Sequence, residues 1–372
     1  MMYVEALNEA MSVENIKQVD IVNNTGLKKA HVSKIVAGSI EPGFAHLFAV
    51  VRYVIPFGYT SIMDEFSLQV TKRDSVISAF EYATYFNRVD LLTKLIDKFS
   101  DHKKKEYEEF ASVYRLINSV MGADELIEQC RELYGKVKSE EMRVKLFAVE
   151  SLLYYKSNDV NTMLRISEKL RGKIDKLNDS FFKDVLLSRV NAVYASGLLY
   201  NEGDTDAVRE AIAQVLASPV SSEASIAASY HTLGHSYIFT DFDKALENLR
   251  YAASSYDRCG NYIMAREVLT NDIPFLKNLN NLSFDLEGVC AEERLHYYVN
   301  CGDVAKAKEA LKQVQDTDCP YVKTYVAVLE NDVPSLLKAH LSFVKRGNLF
   351  FARIVEKAVE KQQKIIETGI AK

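Results

Sequence analysis

The histidine pair His231 and His235 has the spacing of a metal site. Four residues apart on a helix, the two rings share one face and could bind zinc. The intervening positions 232–234 lack the glutamate of the HExxH motif, and a leucine followed by a glycine is better explained by packing between helices. The sequence also contains no GxxxxGK[ST], no GxSxG and no GxGxxG after a strand. We therefore predict no metal, no cofactor and no enzymatic activity.

A basic cluster near the N-terminus has the residue types needed to bind DNA. Its members are Lys28, Lys29, His31, Ser33 and Lys34. No acidic residue occurs between Ile21 and Ile40, although the whole chain carries a net charge of −5. A recognition helix needs donors for base edges, cations for phosphates and no repelling carboxylate. Gln18 is placed to bond a phosphate, so the sequence predicts a local site for double-stranded DNA.

The helices that would position this cluster follow a helix-turn-helix pattern. They are predicted at about 16–23, 28–36 and 44–54. Gly26 supplies the sharp turn between the first two, because a positive φ is cheap only for glycine. Ala30, Val32 and Ile35 are expected to face inward, and Gly38 ends the second helix. The alternative is a three-helix cap with a solvated basic face.

Composition favours long helices over the rest of the chain. Hydrophobic residues make up 48% of the sequence, with only 15 glycines and 6 prolines in 372 residues. No apolar run approaches the ~20 residues of a membrane span, and the first ten residues lack the basic region of a signal peptide. The five cysteines show no CxxC or metal spacing, which is typical of reduced thiols in a cytoplasmic protein.

A repeated phrase begins at about residue 75. An aromatic-rich helix ends, a polar turn carries an aspartate, and an apolar residue opens the next helix. The aspartates are Asp90, Asp124, Asp159, Asp204, Asp241, Asp303 and Asp332. Their mean spacing is about 35 residues if one turn between the fifth and sixth is disguised, which is the tetratricopeptide period. Such repeats stack into a superhelical array with a concave peptide-binding surface; the alternative is a scaffold for a protein partner.

The last segment, 350–370, is predicted to be a lone helix with an apolar stripe. The stripe contains Ile354, Val355, Ala358, Val359, Ile365 and Ile366. It either caps the repeats or pairs with a second copy of the chain, and the two roles are compatible.

Three phrases carry a resemblance to a known family. They are Ser78–Ala83, Leu233–Phe239 and Asn300–Glu309. Together with the order of a small helix-turn-helix and degenerate repeats, the chain resembles the quorum-sensing receptors of Gram-positive bacteria, and among them the AimR arbitrium receptors of temperate Bacillus phages. The resemblance implies a transcriptional activator that dimerises through its C-terminal region and promotes expression of a negative regulator of lysogeny. A short peptide binds the repeats and disables it.

The resemblance also implies a peptide site. The corresponding positions are Ser196, Tyr200, His235, Ile238, Asn271, Asp272, Glu292 and Glu293. The last two match an acidic pair that holds a cationic side chain of the peptide. Neighbouring helical residues point about 100° apart, and we expect Glu293 to be the one that faces the groove. Amides of the family are replaced at positions 196, 200 and 235, so a different cognate peptide is expected with the same binding mode.

These observations predict an all-α chain of four segments. A helix-turn-helix occupies 1–60, a linker 61–74, tetratricopeptide-like repeats 75–348, and a capping and dimerisation helix 349–372. The expected function is a peptide-gated DNA-binding regulator of the phage lysis-lysogeny decision. Its expected partners are operator DNA, a short peptide and a second copy, with no membrane, in the host bacterial cytoplasm. Two alternatives remain: a bacterial quorum-sensing regulator of a chromosomal operon, and a repeat scaffold acting by protein contact.

Overall fold

The computed structural model shows an all-helical protein. It describes residues 2–157 and 159–368, with the side chains of 3–157 and 159–363, and all regular secondary structure in these ranges is helical. The predicted fold class is confirmed: a helix-turn-helix is followed by helical hairpins and a C-terminal helix. None of the described helices combines the length and apolar character that a membrane span requires.

The described residues form twenty-two α-helices and two π-helical segments. The first twelve helices are α1 Met2–Val13, α2 Gln18–Thr25, α3 Lys29–Val36, α4 Phe44–Val54, α5 Tyr59–Gln69, α6 Arg73–Tyr85, α7 Val89–Ser100, α8 Lys105–Ile117, α9 Ala123–Tyr134, α10 Glu140–Lys156, α11 Val160–Ile174 and α12 Phe181–Gly197. The others are α13 Thr205–Ala217, α14 Glu223–Tyr237, α15 Phe242–Arg258, α16 Tyr262–Glu267, α17 Ile273–Leu279, α18 Ala291–Cys301, α19 Val304–Leu311, α20 Pro320–Glu330, α21 Val333–Lys345 and α22 Leu349–Thr368. The π-helical segments are Leu198–Glu202 and Val268–Asp272. Two compact units result: the first contains Met1–Leu153, Ile166–Val190 and Ser218–Ser222, and the second contains Tyr154–Arg165, Asn191–Ala217 and Glu223–Lys372.

The predicted helix-turn-helix lies in the first unit as α2, α3 and α4. Their bounds agree with the prediction to within two residues. Ile21, Val32 and Leu47 are fully buried between them, and Gly26 has a φ of 68°, as the sharp turn requires. The prediction that Ala30 faces inward is wrong, since this residue is exposed. It stands two positions before Val32 and therefore about 200° away around the helix.

Helices outside the predicted motif complete this bundle. Helix α1 buries Tyr3 and Leu7. It also passes so close to Gly38 that a Cβ there would lie 2.8 Å from a methyl of Val4. Residues 61–74, where we predict a linker, form most of α5 and the start of α6 because Met63 and Phe66 bury their side chains. The four-segment division of the chain stays a prediction.

A buried ion network joins four helices of the first unit. The Glu81 side chain on α6 is 0% exposed and lies 2.6 Å from Lys145 Nζ on α10. The Tyr114 hydroxyl on α8 donates to the same carboxylate oxygen at 2.6 Å, and Arg189 Nε on α12 lies 3.3 Å from the other oxygen. Burial raises the pKa of the Glu81 carboxyl, but Lys145 and Arg189 outweigh burial and hold this pKa below its ordinary value.

Five of the seven recurring aspartates act as helix N-caps, whereas Asp90 and Asp124 lie inside the first turns of α7 and α9. A side-chain oxygen accepts a hydrogen bond from the backbone N–H three residues later at Asp159, Asp204, Asp241, Asp303 and Asp332. In the long gap between Asp241 and Asp303, Asn261 caps α16, since its side chain accepts a hydrogen bond from the backbone N–H of Met264. An amide performs the capping there, so a count of aspartates does not detect this helix start.

Helices α14 and α15 pack closely at Gly234. A Cβ at this position would lie 2.8 Å from Leu249 Cγ and 3.1 Å from its backbone nitrogen. We expect Gly234→Ala to lower the free energy of unfolding by about 1–3 kcal/mol, because the backbone of α15 has to move. The matched control is Gly172→Ala on α11, where a Cβ meets no atom within 4 Å; this change is expected to stabilise by roughly 0.5–1 kcal/mol. Urea denaturation of both variants measures the difference, and equal stability of the two would contradict the close approach.

The C-terminal stripe packs into the chain's own core. Ile354 and Val355 are 6% and 1% exposed within the core cluster of the second unit, and Val359 packs against the same cluster. The prediction that Ile354 and Val355 contact a second copy is therefore corrected, since this face of α22 covers helices of the same chain. The side chains of Ile365 and Ile366 lie outside the described residues.

Candidate functional site

Helix α3 and the residue before it present most of the predicted basic cluster to solvent. The exposed members are Lys28, Lys29, Ser33 and Lys34. Gln18 is half-buried at the start of α2. His31 Nε2 lies 2.8 Å from His46 Nδ1 on α4, and burial together with this neighbour lowers the pKa of His46. The three lysines and the serine thus form one exposed surface, while the His31 ring is held against α4.

A cavity of about 260 Å³ in the second unit brings together six of the eight predicted peptide-site residues. They are Tyr200, His235, Asn271, Asp272, Glu292 and Glu293. Both π-helical segments contribute, the first with Tyr200 and the second with Asn271 and Asp272. π-Helical turns are frequent at functional sites. Residues far apart in the sequence therefore line the same cavity.

The other two predicted residues lie elsewhere. Ile238 is 3% exposed in the hydrophobic core, so its predicted place on the groove surface is corrected. Helix α14 ends one residue earlier, at Tyr237, and the chain turns Ile238 inward. Ser196 is not among the lining residues; its hydroxyl is 3.3 Å from that of Thr232 and 3.2 Å from the carbonyl oxygen of Ala192.

Five further lining residues were not predicted. They are Phe275, Cys319, Tyr321, Asn348 and Phe351. The rings of Tyr321 and Phe351 pack with centroids 5.7 Å apart, and Tyr200 stacks on Phe351 at 6.0 Å. Helical periodicity marks such aromatics as core residues, and no sequence signal distinguishes those that wall a cavity.

His231, His235 and Asp272 form a polar cluster, here called the His-Asp cluster. The Nε2 atoms of His231 and His235 lie 2.8 Å and 3.4 Å from the two oxygens of Asp272. Burial raises the pKa of the Asp272 carboxyl, but hydrogen bonds from both histidines outweigh burial and hold this pKa well below its ordinary value. Burial and the neighbouring His231 lower the pKa of His235, which favours its neutral ring. The cluster thus offers the cavity an ionised carboxylate beside a neutral imidazole.

The two neighbouring glutamates, Glu292 and Glu293, differ in burial and in how many hydrogen-bond donors their carboxylates already have. Glu293 is 2% exposed and accepts hydrogen bonds from Asn278 Nδ2 at 2.9 Å and from the Tyr325 hydroxyl at 2.9 Å. His296 Nδ1 is 3.0 Å away. Glu292 is half-buried and has no cationic partner among the side chains that the structure describes. Both glutamates line the cavity, but buried donors already occupy the oxygens of Glu293.

Comparison with known proteins places the chain in a family. The family described as AimR transcriptional regulator-like matches residues 59–361. The AimR transcriptional regulator of Bacillus phage SPbeta is 24% identical over 285 residues, which cover 73% of this chain and 71% of that protein. A solved structure of selenomethionine-containing phAimR matches with a TM-score of 0.76 at 20% identity over 96% of both chains. A structure of phAimR with its ligand matches with a TM-score of 0.66 at 21% identity, over 86% of this chain and 97% of that one.

The family consists of transcriptional regulators, so the prediction that this chain is not an enzyme is confirmed. The resemblance seen in the three sequence phrases is confirmed as well, because the family match spans more than half of the chain. This protein belongs to the AimR-like family of transcriptional regulators.

Proposed function

We propose that this regulator is a peptide-gated DNA-binding protein that controls the phage lysis-lysogeny decision. It activates a target promoter when peptide-free and is disabled when a short peptide binds, in the cytoplasm of the host bacterium. The observation that carries the proposal is the cavity in which six predicted peptide-site residues meet. The related phAimR, whose structure contains a ligand, supports the same reading.

The chemistry of the cavity suits one basic side chain. Its carboxylates, Asp272, Glu292 and Glu293, outnumber the cations, since no lysine or arginine lines it. Its aromatic walls also suit a cation, which is attracted to the face of a ring. A volume of about 260 Å³ accommodates a long side chain, so we propose that the main chain of the peptide lies at the mouth.

A homodimer is part of the same proposal, as the family resemblance implies. The buried stripe of α22 is not available for it. Leu337 and Leu341 lie one turn apart on α21 and are 57% and 56% exposed, so they offer an apolar surface in the C-terminal region that a second copy would cover.

Glu292→Gln is expected to weaken peptide binding about tenfold to a hundredfold. The reason is loss of a charge-assisted hydrogen bond, which is typically worth ~1.5–3 kcal/mol. The measurement is calorimetry with the synthetic short peptide encoded beside the gene. Glu287→Gln is the matched control, because Glu287 is exposed and is not a lining residue. Unchanged affinity of the Glu292 variant would assign the peptide's cation to another carboxylate or another surface.

The function as a whole is tested by gel shift. We expect the wild-type protein to retard DNA fragments from the intergenic region beside its gene, and the same peptide to change this retardation. Peptide binding without any DNA binding would instead favour the scaffold alternative. The Glu292 result is independent of this outcome, since calorimetry needs no DNA.

A further inference from the structure

The His-Asp cluster has the composition of a metal site. One ligand atom from each of His231, His235 and Asp272 lies within 4.8 Å of the others. The three side chains are 14%, 9% and 17% exposed, so a bound ion would be largely shielded from competing water. Two imidazole nitrogens and one carboxylate oxygen are ligands that zinc prefers in proteins.

The surroundings orient both rings toward a common point. The Tyr200 hydroxyl lies 3.1 Å from Nδ1 of His235, and the Tyr256 hydroxyl lies 3.4 Å from Nδ1 of His231. With each Nδ1 directed at a tyrosine, each Nε2 is directed at Asp272. Metal-binding histidines almost always place a hydrogen-bond partner on the second ring nitrogen, because it fixes the tautomer and the ring plane.

Each imidazole nitrogen lies close to a different oxygen of Asp272, at a separation near that between ligands of a tetrahedral zinc ion. With zinc–ligand bonds of about 2.0–2.2 Å, ligand atoms stand roughly 3.3 Å apart. His235 Nε2 and Asp272 Oδ1 are 3.4 Å apart, and His231 Nε2 and Asp272 Oδ2 are 2.8 Å apart. An ion bound by both histidines and a single oxygen of Asp272 requires the carboxylate to turn and the closer pair to separate by about half an ångström. Asp272 ends a π-helical segment, and such segments often occur at functional sites.

We propose that His231, His235 and Asp272 bind a zinc-class divalent cation whose fourth coordination position faces the cavity. His235 and Asp272 both line that cavity, so a water molecule or a ligand oxygen can reach the ion from it. From the sequence alone we predicted no metal, because the HExxH glutamate is missing and the leucine and glycine between the histidines indicated helix packing. The third ligand, Asp272, lies far along the chain from the histidine pair. If the peptide site is also correct, bound metal occupies Asp272 and leaves Glu292 as the carboxylate available to the basic side chain of the peptide. That consequence rests on the proposed function, whereas metal binding itself does not.

The test is a titration of the full-length, untagged, peptide-free and DNA-free protein with zinc chloride in a calorimeter. Cobalt chloride serves as a second probe, because tetrahedral cobalt absorbs visible light. We expect one tight equivalent per chain, and Asp272→Asn and His231→Gln to weaken binding at least tenfold. His31→Asn removes the other close histidine pair and is the matched control, which should retain the tight equivalent. Circular dichroism establishes that each variant is folded.

Absence of a tight equivalent in the wild-type protein would overturn the proposal without any variant. So would tight binding that survives in both Asp272→Asn and His231→Gln, or that disappears in His31→Asn. None of these outcomes bears on peptide gating, since neither peptide nor DNA is present in the titration.

Discussion

Replacing Glu81 with glutamine is expected to lower the free energy of unfolding by about 3–5 kcal/mol. Glu81 is the counter-charge of Lys145, whose side chain is only 2% exposed, and of Arg189. A glutamine keeps the shape and accepts the hydrogen bond of Tyr114, but it leaves the Lys145 cation buried without an opposite charge. Urea denaturation followed by circular dichroism measures the loss.

The matched control is Lys105→Gln, which breaks an ion pair with Glu108 in which the lysine is 86% exposed. Exposed pairs contribute at most about 1 kcal/mol, so this variant should remain close to wild type. In the double variant Glu81→Gln with Lys145→Met, an apolar chain replaces the unpaired cation, and part of the stability should return. If Glu81→Gln behaves like Lys105→Gln, the network does not hold the first unit together.

The same network makes the free energy of unfolding depend on pH. The folded-state pKa of Glu81 is below its ordinary value, so its contribution is fully present above the unfolded-state pKa and is lost as pH falls through the folded-state pKa. The stability difference between wild type and Glu81→Gln should therefore shrink in acid. A difference that is constant down to the acid unfolding transition would contradict the depressed pKa.

Charge reversal at Lys28 and Lys34 is expected to abolish specific DNA binding, a loss of more than a hundredfold. Both lysines are exposed, so Lys28→Glu with Lys34→Glu should leave folding and peptide affinity unchanged. Each lysine that contacts a phosphate contributes about 0.9 to the slope of log affinity against log salt concentration, and carboxylates in their place repel the backbone. Gel shift at several salt concentrations measures both the affinity and the slope.

Lys94→Glu with Lys103→Glu is the control, because both residues are exposed outside the helix-turn-helix and the change in net charge is the same. This variant should lose only the small affinity that long-range charge provides. Equal losses in the two variants would remove α3 as the recognition helix. An undiminished shift in the Lys28 and Lys34 variant would remove the DNA assignment from this surface altogether.

Local signals account for what could be predicted. Gly26 marks the turn between α2 and α3 because the turn needs a positive φ, which a glycine adopts at low cost whatever its neighbours are. The aspartate N-caps, such as Asp241, bond a backbone N–H only three residues away, so their period along the chain reported the hairpins directly. Ala30 shows the limit of predicting which helix face is buried, since a shift of one helical position decides whether a small residue faces the core.

The candidate site was predicted in part because the family resemblance named its positions. The resemblance could not predict that the Ile238 side chain points into the core, because this depends on α14 ending one residue earlier. Nor could it show that Asn278, His296 and Tyr325 occupy the Glu293 carboxylate. Some of these donors lie on other helices, which come close to Glu293 only when the helices stack.

The sequence by itself determined the helical class, the helix-turn-helix and the turns of the repeats, because each depends on backbone preferences and periodicity within a few residues. Tertiary structure alone decided which side chains meet across helices. It placed Asp272 beside the histidine pair and turned Ile354 and Val355 into the chain's own core. The physical reason is that burial of apolar surface is non-directional: an apolar stripe is equally stabilised against its own chain or a second copy, and only the stacking of the helices determines which surface it meets.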